Sequence, residues 1–254
     1  MPSAIFRLED EVFRHAILLR LGVSLLDSHR AAFGEACPVC GRRLTEGHDR
    51  SCRATHTLTI ERHNAVKMIL YQACLQAGCP VQVERRLEAV EEGGPVRQPD
   101  LVIWLAGRVA ALVPHYVDVT VGEVLADGYD AAARLGTVPS RLEDLKTESY
   151  REWMRGRVGE FEPFGATCTG QLGPGADALL KKVRAGAVGA RRVTLGWWLA
   201  RLSIIFVVYA ATMHKEWCRQ ANKAANARWM LPGPAERRVY VEEADPDKDL
   251  IARE

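Results

Sequence analysis

Three cysteines and a histidine fall within sixteen residues: Cys37-Pro-Val-Cys40, then His48, then Cys52. A Cys-x-x-Cys pair makes a tight knuckle, and a spaced His/Cys pair closes a tetrahedron of the soft and borderline donors that zinc prefers. With all four positions filled by protein, such a site is structural and keeps no open coordination for catalysis. Cys52 with His56 is a second way to close it, because those two are also separated by three residues. The seven cysteines are an odd number, and the N-terminus lacks a basic segment, apolar stretch and small-residue cleavage site in series. A secreted disulfide framework is therefore not expected, and an intracellular reducing compartment is. Cys74, Cys79, Cys168 and Cys218 have no such company and read as small buried apolar side chains. His15, His29, His115 and His214 carry no argued chemistry.

A second set of residues suits phosphodiester hydrolysis. Acidic side chains hold Mg²⁺, the metal polarises the phosphoryl oxygen and supplies hydroxide, and a lysine stabilises charge or orients the water. Here Pro99-Asp100 leads one apolar stretch, Asp118 lies in the next, and Lys146 and Tyr150 follow. This is the PD-(D/E)XK arrangement, weak by itself because strands bounded by Asp are common. Glu84 and Glu88 could add a ligand, although surface charge is the plainer reading.

The elements that must position these groups can be read from periodicity. Residues 8–26 and Arg62–Gln76 have helical spacing, the latter ended by Gly78-Cys79-Pro80. Val81–Leu87 alternates weakly, and Asp100–Ala106 and Ala110–Val121 alternate strongly. Leu101, Ile103, Leu105, Val113, Val117, Val119 and Val121 are apolar at odd positions; Asp100, Tyr116, Asp118 and Thr120 fall at even ones. A hairpin must keep odd opposite odd. A three-residue loop, Gly107 to Val109, does so and predicts Asp100 opposite Tyr116, with Asp118 diagonal on the same face about 5–8 Å away. A two-residue loop would put the acids on opposite faces. A helix is expected around Ala126–Leu135, and another after Pro139, with Ser140 and Glu143 as a capping box and Lys146 and Tyr150 on one side. Glu160–Gly175 reads as a Pro/Gly loop or strand, and Ala176–Val183 opens a further helix. Val193–Met213 is apolar with one charge, Arg201. It is long enough to span a bilayer, but an Arg near its centre would cost about 2.5–3.5 kcal/mol. A buried helix packed on the sheet is the preferred reading.

The formal net charge is only +2. Between Arg141 and Arg228, fifteen basic residues meet eight acidic ones, while the last twenty residues hold four basic and seven acidic. The middle is thus a candidate phosphate-facing surface, offset by an acidic tail. Composition is otherwise ordinary for a globular chain and excludes wholesale disorder.

Taken in order, these landmarks resemble the restriction-like endonuclease at the C-terminal end of site-specific non-LTR retrotransposon polyproteins. The match runs through Arg20-Leu21-Gly22, the Cys-Cys-His-Cys knuckle, Arg62-His63-Asn64, Pro99-Asp100, Asp118-Val119-Thr120, Lys146 with Tyr150, Pro163-Phe164 and Gly170 to Gly173. It covers about two thirds of the chain, Glu11 to Val183. The resemblance implies an α/β, restriction-endonuclease-like mixed sheet flanked by helices, with a small zinc knuckle inserted near the N-terminus. It assigns Asp100 and Asp118 to Mg²⁺ (or Mn²⁺), Lys146 and Tyr150 to catalysis, Cys37, Cys40, His48 and Cys52 to structural zinc, and Arg62 and His63 to DNA contact or site support. It implies a double-stranded DNA target, nuclear work, and element RNA or the rest of a reverse-transcriptase polyprotein as further partners. The chain departs from the pattern at Thr120, where the simple motif has Lys, and at Gln98-Pro99, where Arg-Pro is usual. The gap from His48 to Cys52 is also one residue short.

The expected organisation is an N-terminal helical segment (1–36), the knuckle (37–60), the nuclease core (61–190), the apolar helix (191–231) and the acidic tail (232–254). The leading expectation is a metal-dependent DNA endonuclease. A catalytically inactive, zinc-stabilised nucleic-acid-binding module is the alternative, and a membrane-anchored zinc protein is a weaker third.

Overall fold

A computed structural model describes residues 9–21, 23–87, 96–106, 112–123, 136–186 and 195–229. The fold is mixed α/β. A four-stranded sheet of order β1-β2-β3-β4 comprises Val81–Val83, Leu101–Ala106, Leu112–Gly122 and Glu160–Thr167. β1, β2 and β3 pair antiparallel; β3 and β4 pair parallel. The parallel pair needs a crossover, and helix α5 (Val138–Arg151) lies in it. Pro163 is tolerated in β4 because that strand is at the sheet edge.

Alternation along the strands decides what covers each face. Leu101, Ile103, Leu105, Val117 and Val119 share a core with helices α4 (His56–Ala77), α6 (Pro174–Ala185) and α7 (Leu195–Trp229). On the other face Val102 and Tyr116 pack with Tyr150 and Trp153 from α5 and the residues after it. Asp118 shares the parity of Tyr116 and therefore faces α5.

The odd-with-odd pairing is present, but the register differs from the expected one. Val102 rather than Asp100 stands opposite Tyr116, and Ala106 pairs with Leu112. Continued by one residue, this register sets Asp100 directly across from Asp118. Any odd number of loop residues preserves parity, so alternation alone could not separate three from five. The loop, 107–111, and the helix expected at Ala126–Leu135 lie outside the described residues.

The N-terminal helix is shorter than expected. α1 (Asp10–Arg20) ends at the Arg20-Leu21 landmark, and α2 (Asp27–Phe33) follows separately. Between them the Ser24 hydroxyl bonds Asp27 and Glu46. The apolar C-terminal segment continues well past Met213 as α7. Its buried residues Trp198, Leu202, Phe206, Ala210, Met213, Trp217 and Ala221 recur every three or four positions. This stripe packs on α1, α4, α6 and the knuckle. By length and composition Gly196–Ala227 could also cross a membrane. Arg201 lies on the less buried side, its guanidinium 4.7 Å from the Trp197 ring centroid.

The expected capping box is absent. α5 already begins at Val138, with Pro139 in its first turn, where a missing N–H costs nothing. Glu143 instead turns its carboxylate onto the start of α6. It accepts from the backbone N–H groups of Gly165 at 3.1 Å, Gly175 at 2.9 Å and Ala176 at 2.8 Å. A carboxylate among helix N-terminal amides satisfies donors that the helix itself cannot. Gly165 and Gly173 are needed for this approach, since a Cβ at either would run into the Glu143 side chain. Glu143→Ala would strand these buried donors and lower unfolding free energy by roughly 3–5 kcal/mol. The check is a denaturant midpoint that falls sharply with an unchanged slope.

Candidate functional site

The knuckle is built by local turns. Cys37 N–H donates to Arg42 O at 2.7 Å and Gly41 N–H to Cys37 O at 2.8 Å. Gly41 takes φ of 76°, which the turn after Cys40 requires. The short helix α3 (His48–Ser51) then brings His48 back to the turn. The donor atoms of Cys37, Cys40, His48 and Cys52 all lie within 4.8 Å of one another. Cys37 Sγ is 3.9 Å from Cys52 Sγ, and Cys40 Sγ is 3.3 Å from His48 Nε2. A tetrahedral zinc with Zn–S of about 2.3 Å and Zn–N of about 2.0 Å spaces its donors by about 3.5–3.8 Å. The four residues are therefore close enough to hold a metal ion, consistent with structural zinc. His48 rather than His56 closes the set.

This unit has no core of its own. Cys37, Leu44 and Cys52 pack with Leu26 around Trp217 and Ala221 of α7. A buried pair fixes it to the sheet: Arg50 Nε and Nη2 donate to Glu123 at 2.7 and 3.0 Å, beyond the end of β3. Cys168, which sequence gave no partner, donates its thiol to the same carboxylate at 2.8 Å.

The second centre lies at the Asp100 end of β2. Asp100 and Asp118 are neighbours across β2 and β3, close enough for each to shift the other's ionisation, and α5 brings Lys146 Nζ to 3.0 Å from Asp118 Oδ2. Burial raises the Tyr150 pKa and Asp118 is near enough to add to the rise, while the Tyr150 ring stacks on Phe161 at 4.3 Å. On the other side His63 Nε2 is 3.0 Å from Asp100 Oδ1, and Val119 N–H donates to Asp100 Oδ2 at 2.7 Å. Two residues missed as site members, Lys67 and Arg97, are here too, with Glu84, which the sequence offered as a further ligand. Lys67, one helical turn after His63, is 3.9 Å from Asp100 Oδ1 and pairs with Glu84. Glu84 has a positive φ of 49°, rare for a residue with a side chain. The Arg97 guanidinium lies 5.5 Å from the Tyr150 ring centroid. The His63/Lys67 spacing of four on a helix was the signal available for Lys67. Glu88 lies outside the described residues.

Arg62 goes elsewhere. It is buried beneath α7, with Nη2 3.5 Å from Val121 O and Nη1 3.8 Å from the Met213 sulfur. It is thus not brought to the carboxylate pair.

The two carboxyls are unlike. Burial pushes Asp118 above its ordinary pKa, and Asp100 adds to the rise against the pull of Lys146. Burial also works against ionised Asp100, but hydrogen bonds led by His63 hold its pKa below the usual value. Two acids this close do not ionise together without help, and a divalent cation can replace the shared proton.

Two further groups of His, Cys or acid are dense enough for a metal. In one, His115 Nδ1 lies 2.9 Å from Glu162 and 3.6 Å from Glu160. Lys182 already bridges those two carboxylates, so their charge is matched. The other joins His29, His214 and Cys218. Cys218, expected to be merely apolar, is thus in polar company. No family model matches the chain, and no curated protein does.

Proposed function

We propose that this chain is a metal-dependent DNA endonuclease of restriction-like α/β fold, carrying a structural zinc, and that it derives from a retrotransposon polyprotein. The observation that supports this most is the meeting of Asp100, Asp118, Lys146 and Tyr150 at one place, although β2, β3 and α5 deliver them separately. Two neighbouring carboxylates, one with its pKa raised by burial and by the other, suit Mg²⁺, which binds through one or two protein carboxylates and takes its other ligands from water and substrate phosphate. Asp100 and Asp118 would hold that ion, whose chemistry is to polarise the phosphoryl oxygen and make hydroxide available.

The remaining roles belong to the protein. Val119 N–H and His63 fix the orientation of Asp100. Lys146, one-third exposed and held at Asp118, is placed to contact the charge that develops on the attacked phosphate. Tyr150 would flank the Asp118 carboxyl, and exposed Arg97, over the Tyr150 ring, would meet the phosphate backbone. The excess of basic residues between 141 and 228 would give salt-sensitive DNA affinity. As a retrotransposon-derived enzyme acting on chromosomal DNA, the chain would work in the nucleus. The role of α7 as a packed spine favours this reading over the membrane one.

A binding module without catalysis is the second reading. It is favoured by the way Lys146, His63 and the Val119 N–H already satisfy both acids. Supercoiled plasmid separates the two. The endonuclease converts it to open circles in Mg²⁺ or Mn²⁺ and not in EDTA. Retarded but uncut plasmid in both metals would favour the module.

A further inference from the structure

We infer that His29, His214 and Cys218 form a second transition-metal site, separate from the four-ligand knuckle and taking Zn²⁺ through two imidazoles and one thiolate. His214 and Cys218 stand one turn apart on α7, and α2 brings His29 to them from a position 189 residues earlier than Cys218. Cys218 Sγ is 3.2 Å from His29 Nε2 and 3.4 Å from His214 Nε2. Both distances are close to the edge of a zinc tetrahedron, about 3.5 Å for mixed S and N donors.

The surroundings are those of a ligand set. His214 turns its other nitrogen, Nδ1, to Asp49 Oδ2 at 2.9 Å. A carboxylate behind a histidine fixes the ring and leaves Nε2 for a metal. Asp49 is fully buried and follows His48, so α3 supplies a ligand to the knuckle and an orienting carboxylate to the second site. His15 offers a further donor beside the group. Its ring centroid is 4.8 Å from that of His214, and its Nδ1 is buried with no hydrogen-bond partner. Water or His15 would fill the fourth position. Cys218 also lines a groove with Glu11, Thr212 and Lys215, which gives an ion a way in.

Asp49, His214 and Cys218 are also in the order of a thiol nucleophile with its base and orienting acid. Two features count against that use. Cys218 lies within α7, where the neighbouring backbone N–H groups are committed to the helix and cannot stabilise an oxyanion. The second imidazole, His29, has no task in such a triad. In a metal site each of the four residues has one. The ion would tie α2 to α7, beside the point where the knuckle packs on Trp217.

The test is a metal count on the full chain. Protein is loaded with excess Zn²⁺ under reducing conditions, with Mg²⁺ present to occupy the carboxylate pair. Free metal is then removed, and bound zinc is counted by native mass spectrometry. Two zinc ions per chain are expected, falling to one in both His29→Asn and Cys218→Ser. One zinc in the unaltered chain overturns the proposal whatever the variants do, and so does retention of two by either variant. Loading with Co²⁺ gives a second readout, because Cys218→Ser should weaken the sulfur-to-cobalt charge-transfer band. An unchanged band would count against Cys218 as a ligand. None of this depends on nuclease activity.

Discussion

Stripping the metal from Cys37, Cys40, His48 and Cys52 is expected to unfold the knuckle and loosen the C-terminal half of α7. Structural zinc contributes about 10–16 kcal/mol in small zinc-binding peptides at neutral pH. A whole domain is stable by only about 5–15 kcal/mol. The knuckle has little to replace that contribution. Its apolar centre is Leu26, Leu44 and the cysteines themselves, closed by Trp217 and Ala221. Without metal, Cys37 and Cys52 are thiols set 3.9 Å apart in a buried space, with burial driving Cys52 up to about 12. Arg50 and Glu123, buried as a pair, would lose the frame that holds them together, and a broken buried pair costs about 3–5 kcal/mol. Cys37→Ser should therefore lower the thermal midpoint, and hydrogen exchange should speed up in residues 23–55 and around Trp217. The sheet should keep its protection longer. A Cys37→Ser protein with the parent midpoint and the parent zinc content would show that the four residues do not hold a structural ion.

Asp118→Asn is expected to abolish nicking while leaving the fold as stable as before, or more so. Losing one of two metal-holding carboxylates removes several kcal/mol of transition-state stabilisation, and about 4 kcal/mol is roughly 10³-fold in rate. Stability moves the other way because folding raises the Asp118 pKa. Ionising Asp118 opposes the fold; the effect is absent below the unfolded pKa of about 3.9 and complete above the raised folded one. Asp100 has the opposite sign. Its lowered pKa supports the fold above the unfolded value, and that support is lost as pH falls through the folded one. Asparagine removes the unfavourable ionisation and keeps an acceptor for Lys146. A thermal midpoint at pH 7 that is equal or higher, with nicking lost, marks Asp118 as a functional residue. A clear drop in midpoint would mark the Asp118–Lys146 contact as a structural ion pair instead.

The Cys37, Cys40, His48 and Cys52 cluster was legible because four donors close in sequence can be judged by spacing alone. The His29, His214 and Cys218 group was not, since no local pattern joins α2 to α7. Only the spacing of four between His214 and Cys218 hinted at a shared helix face. Alternation in β2 and β3 correctly assigned Asp100 and Asp118 to one face, yet parity is blind to a shift of two residues, and the register was missed by that amount. Glu143 looked like a local cap because Ser140 precedes it by three. Its partners Gly175 and Ala176 are more than thirty residues on, and a cluster of buried amides outcompetes an exposed local bond. Hydropathy along α7 falls after Met213. The three-to-four periodicity continues through Trp217 and Ala221, and that pattern reflects packing better than mean hydropathy does.

The most direct measurement is the single-turnover rate of plasmid nicking by the zinc-loaded full chain as Mg²⁺ is raised from zero. A metal centre on Asp100 and Asp118 requires a rate that starts at background, climbs to saturation with Mg²⁺ and stays at background throughout for Asp118→Asn. Nicking that is indifferent to Mg²⁺, nicking that survives in Asp118→Asn, or tight binding with no nicking at any Mg²⁺ concentration would contradict it.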